Sequence, residues 1–176
     1  MVKKTSTLIN IIAITLIILS VISCNKDSNT SDDSDTGIKI GKNAPNFTLP
    51  DKNDNMISLT DFDDKLILVN FWASWCHFCR DENPHLVSLY SEYKEKGLEI
   101  IGVSIDTDKF DWLSAVTEDR IEYVQVSDFL GTDSPVYGSY GVQSVPKMFL
   151  LNDKGVIIMI TSDAAVIADE VAKRLK

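Results

Sequence analysis

The sequence predicts an α/β sandwich with a mixed central sheet and an N-terminal β-hairpin extension, and three observations carry that prediction. Two nearly continuous apolar runs, residues 65–73 (K-L-I-L-V-N-F-W-A) and 98–105 (L-E-I-I-G-V-S-I), have the pattern of strands buried on both faces. A helical rhythm separates them, giving a β-α-β unit. Near the end, residues 147–151 and 156–161 flank the turn Asn152-Asp153-Lys154-Gly155, a hairpin followed by an amphipathic stretch over 164–176. The chain has 176 residues, 44% hydrophobic and 24% charged, which fits one globular domain with something short at an end.

The first element is not part of that domain. Lys3-Lys4, an apolar run over 8–22, and then Ser23-Cys24 form a secretory signal peptide over residues 1–23. The run is shorter than the ~20 residues a spanning helix needs. Val21-Ile22-Ser23-Cys24 resembles the lipobox of bacterial lipoproteins, which implies that Cys24 carries a lipid anchor holding the chain to a membrane. Residues 24–40 read as a disordered tether, because 25–37 (N-K-D-S-N-T-S-D-D-S-D-T-G) hold no apolar side chain to bury. Cleavage removes Lys3 and Lys4, so a formal charge of −9 becomes −11, and no basic stripe remains for nucleic acid.

From residue 41 to 176 the elements follow in order. Phe47-Thr48-Leu49 and Met56-Ile57-Ser58-Leu59, on either side of the turn-forming residues 50–55, make a hairpin. The strand over 65–73 leads into a helix over 76–96, bent at Pro84 and stopped by Gly97. After the strand 98–105 come a helix over 110–118 and a short strand over 123–126. Serine, proline and glycine then occupy residues 131–141. The resulting order is hairpin, β, α, β, α, β, α, β, β, α.

The chemistry concentrates in Trp75-Cys76-His77-Phe78-Cys79-Arg80. The chain has three cysteines; with Cys24 lipidated, Cys76 and Cys79 remain as a pair in an oxidising compartment. A structural metal site is disfavoured, since the added ligands would be His77 and His85, all within ten residues and mostly on one helix. Haem attachment needs histidine after the second cysteine, where Arg80 stands. The placement typical of peroxiredoxins fails too, because the proline and hydroxyl positions before the cysteine hold Val69 and Ala73.

Redox exchange fits. Cys76 lies where strand gives way to helix, so unpaired N–H groups and the positive end of the helix dipole favour its thiolate. Cys79, one turn on, can bond to it at a Cα separation of roughly 5–6 Å and resolve the mixed disulfide. A stapling disulfide is the alternative, but so short a loop removes little unfolded-state entropy.

With that motif on a strand-to-helix turn, the sequence resembles the thioredoxin superfamily, and specifically the ResA/TlpA-type envelope thiol-disulfide oxidoreductases. The likeness runs from Ala44-Pro45-Asn46-Phe47 through Val69-Asn70-Phe71-Trp72-Ala73 and Arg80-Asp81-Glu82-Asn83-Pro84 to Ser104-Ile105-Asp106, Tyr140-Gly141-Val142 and Ser144-Val145-Pro146. It implies a three-layer α/β/α sandwich. Pro146 matches the family's cis-proline, which with Val145 would face an extended client. Glu82 matches a partly buried glutamate that would exchange a proton with Cys79, while Asn70 takes the position of thioredoxin's buried aspartate. Trp75 matches the tryptophan of the client-facing surface.

The family commonly has proline where Phe78 stands. His77 either supports the Cys76 thiolate, making the pair more oxidising, or points into water. The implied function is an enzyme without cofactor or metal, a monomer on a membrane in the periplasm or at the cell surface. It would reduce disulfides of client proteins, be fed by a membrane electron donor, and serve cytochrome c maturation. The alternatives are an oxidase or isomerase of the same fold, and a module that binds clients or metal without turnover.

Overall fold

The computed structural model describes residues 37–176; the predicted signal peptide, Cys24 and most of the tether lie outside the described residues. At the start of the described residues the Gly37 N–H donates to the Asn43 carbonyl, and Ile38 packs over the bare Cα of Gly141.

The hairpin forms as expected, with β1 (Thr48–Pro50) antiparallel to β2 (Met56–Ser58). A 3-10 turn over Leu59–Phe62 follows it, with the Ser58 N–H bonded to the Asp61 carboxylate. The apolar runs become β3 (Leu66–Trp72) and β4 (Leu98–Ser104), every residue of both buried. Between them runs α1 (His77–Tyr93), continued by a 3-10 turn over Lys94–Lys96 and ended by Gly97 at φ 102°, a backbone setting that favours glycine. Pro84 lies inside α1 and leaves the Arg80 carbonyl without its usual helical donor.

The remaining elements are α2 (Lys109–Glu118), β5 (Val124–Val126), α3 (Pro135–Ser139), β6 (Lys147–Leu151), β7 (Ile157–Thr161) and α4 (Ala164–Arg174). The five-stranded sheet has the order β5-β4-β3-β6-β7, parallel from β3 to β5 and antiparallel from β3 through β6 to β7. This is the mixed-sheet α/β/α sandwich that the sequence predicts.

Two right-handed crossovers running in the same direction put α1 and α2 on one face of the sheet. Arg80 on α1, hydrogen-bonded to Asp119 at the end of α2, ties the two together. On the opposite face Phe71 meets Tyr137, Tyr140 and Phe149, their ring centroids 5.1–6.4 Å away. The C-terminal end of α1 is pinned to the sheet through buried Glu99, which accepts from Tyr90 Oη (3.2 Å) and Lys65 Nζ (2.9 Å). Burial and the Glu99 charge push the Tyr90 phenol up to about 12.

Candidate active site

The site is built where β3 ends. Trp72 is fully buried, and its indole N–H donates to Gln125 Oε1 at 2.9 Å. That bond requires Gly102 between them: a Cβ at this position would fall 2.2 Å from the Gln125 amide. The chain then turns through Ala73-Ser74-Trp75 into α1.

Asp106, 1% exposed and two residues past β4, clamps this turn. Its carboxylate accepts from the Ser74 N–H (3.0 Å), Ser74 Oγ (2.6 Å) and Ser104 Oγ (2.6 Å). Arg80 braces it from the helix side, bonding Asp119, Glu118 and the Ser74 carbonyl. Pairing with Asp119 holds the guanidinium firmly charged. Asn83, fully buried, donates to Asp119 at 2.6 Å.

On this frame Cys76 caps α1. Its Sγ receives the Cys79 N–H at 3.1 Å and is disulfide-bonded to Cys79, the Cα atoms 5.2 Å apart. Cys76 Sγ also lies 3.7 Å from the Val145 carbonyl, and the Val145–Pro146 bond is cis. Both cysteines are largely covered, Cys76 at 7% and Cys79 at 1% exposure, so a partner's approach is confined to the Cys76 side.

The other expected residues spread around this pair. Trp75 and Phe78 stand outward, 66% and 73% exposed. His77 points into water and meets Asp81 across one turn at 3.4 Å, the second of the two arrangements open to it. Glu82 is half-buried and its Oε2 accepts from the Ala164 N–H at 2.9 Å, joining α1 to the start of α4. Asn70 is buried, and its Oδ1 has no hydrogen-bond partner. Among the described residues no cluster of three or more metal-ligating side chains occurs. No described helix is long and apolar enough to cross a membrane.

Known proteins are similar to this chain over most of its length. The AhpC/TSA family model matches residues 40–160. ResA, a thiol-disulfide oxidoreductase of Bacillus subtilis (strain 168), is 32% identical over 125 residues, 71% of this chain and 68% of the relative. The chain belongs to the AhpC/TSA family and, within the thioredoxin superfamily, to the ResA-type thiol-disulfide oxidoreductases. Solved structures of the oxidoreductases agree. The thioredoxin domain of one from Bacteroides vulgatus superposes with a TM-score of 0.75 at 33% identity, covering 80% of this chain and all of that one. Another, from Bacteroides fragilis, gives 0.71 at 31%, covering 76% and 100%.

As an oxidoreductase of this type, the chain exchanges disulfides with client proteins through its Cys76–Cys79 pair. The oxidoreductase motif alone does not reveal Asp106, Arg80 or Asn83 as parts of the frame. The available signal is a carboxylate two residues beyond a wholly buried strand, where only a specific set of donors can keep it buried.

Proposed function

We propose that this oxidoreductase is a reductase of the cell envelope. It would be exported by residues 1–23, lipidated at Cys24, and held off the membrane facing the periplasm or cell surface by a tether reaching toward the domain. In this reading it acts as a monomer, draws electrons from a membrane donor, and serves the maturation of c-type cytochromes.

The carrying observation is the position of Cys76 Sγ, which accepts the Cys79 N–H at the N-terminus of a 17-residue helix. Once the pair is reduced, that N–H and the helix dipole stabilise a thiolate. The Cys76 thiolate attacks one sulfur of a client disulfide, whose other sulfur leaves as a thiolate and takes up a proton. Cys79 then loses its proton, with Glu82 as acceptor, and attacks Cys76 Sγ. The client's second thiolate departs, and two electrons have passed to it. Trp75, His77, Val145 and Pro146 line the approach, with the Val145 carbonyl placed to receive an N–H of the client backbone.

The direction of flow rests on His77. Its ring is turned toward Asp81 and water, and the Asp81 carboxylate works against the extra stabilisation of the reduced pair that would make it more oxidising. Equilibration of the full chain with a thiol buffer tests this. A potential near thioredoxin's, about −270 mV, is expected, whereas one near the −120 mV or so of a dedicated oxidase overturns the reductase assignment.

A further inference from the structure

Of the eight large apolar side chains exposed among the described residues, four gather at one end of the sheet: Trp75, Phe78, Phe110 and Leu130, at 66, 73, 77 and 53% exposure. The hydrogen bonds place them together. Asp106 grips Ser74 beside Trp75, and α2 begins three residues after Asp106 with Phe110 in its first turn. Ser127, just past β5, donates to the Ser104 carbonyl. Gly131 lies so close to Thr107 that a Cβ there would sit 3.0 Å from its methyl, which brings Leu130 beside the same loop. The turns that follow the C-terminal ends of β3, β4 and β5 thus lie side by side, and each carries an exposed apolar side chain. Leu130 and Phe110 are not needed for the core, and apolar surface collected like this marks an interaction site.

The charge on these loops points to one kind of occupant. Asp108, Asp128 and Asp133 stand on them and Asp111 in the first turn of α2, and none has a basic partner among the described residues. Lys109 is engaged by Asp54, and Arg80 by Asp119 and Glu118. Lys147 lies on the far side of β3, at the start of β6. The chain as a whole carries −9.

We propose that this end of the sheet docks client segments that are extended and disulfide-bearing, with aromatic or large aliphatic residues next to lysine or arginine. The inference rests on the oxidoreductase reading of Cys76 and names the client chemistry that it selects. The apolar part covers Trp75, Phe110 and Leu130, and the basic part meets the four aspartates.

The test uses the full chain with its pair reduced and three disulfide-bridged peptides, flanked by Phe and Lys, by Ser and Lys, or by Phe and Glu. Rates are divided by those of dithiothreitol on the same peptide, which removes intrinsic reactivity. The Phe/Lys peptide is expected to be at least about tenfold faster than the Phe/Glu peptide at ~20 mM salt, with the contrast falling at least about threefold at ~0.5 M. Phe110→Ser with Leu130→Ser should bring Phe/Lys toward Ser/Lys, and Asp111→Asn with Asp133→Asn should compress the Lys/Glu contrast. Equal normalised rates, or contrasts that neither double variant moves, overturn the docking surface. Reduction of glutathione disulfide by the unmodified chain separates the two readings: without it the oxidoreductase reading fails, and with it indifference to the peptides removes the docking surface alone.

Discussion

Cys79→Ser is expected to lower turnover of a protein disulfide by about a thousandfold or more, and to leave the client covalently attached to Cys76. The first half of the exchange needs only Cys76, whose Sγ lies on the accessible side of the pair at the helix terminus. The second half needs a sulfur within bonding distance, and Cys79 alone supplies one among the described residues. Intact-mass measurement should show one client per chain, released by dithiothreitol. Cys76→Ser should trap none, because Cys79, 1% exposed, cannot be reached from outside. Equal trapping by both variants would place the attacking sulfur elsewhere.

The second large effect is structural. Asp106→Ala removes one acceptor from three donors at once and leaves the half-buried Ser74 N–H and the buried Ser104 hydroxyl short of partners. Hydrogen bonds to a charged group contribute about 1.5–3 kcal/mol each and do not add fully, so a loss of about 3 kcal/mol is expected. In a domain of this size that corresponds to a melting temperature lower by roughly 10 °C. Ser74 is two residues from Cys76, so exchange with clients should slow as well. Calorimetry and single-turnover rates on the same variant check both. An unchanged melting temperature would mean that the turn holds itself.

The fold was legible where burial dictates residue type. The runs now seen as β3 and β4 are buried along their whole length and can only be interior strands, and Gly97 and the turn over 152–155 punctuate the chain as glycine and asparagine usually do. The helix after Cys76 was legible from its rhythm, and the chemistry of the pair from its spacing. The 3-10 turn over Leu59–Phe62 does not stand out in the residue pattern, although Ser58 and Asp61 stand at capping distance. The frame of the site was not legible, for a physical reason. Asp106 binds Ser74 across 32 positions and Arg80 binds Asp119 across 39, and no local pattern announces partners so distant in the chain. The orientation of His77 was open for a similar reason: Asp81 is near in sequence, but the thiolate was an equally near alternative.

In the reduced protein one sulfur, at the start of α1, should be ionised and reactive while its neighbour is held back. Alkylation of the reduced full chain by iodoacetamide across pH 4–10, with the modified residue located by mass spectrometry, measures that directly. Cys76 should be labelled first, with an apparent pKa well below the ~8.5 of a free thiol. Labelling of Cys79 first, or a Cys76 rate that follows a free thiol in a short peptide, would contradict it.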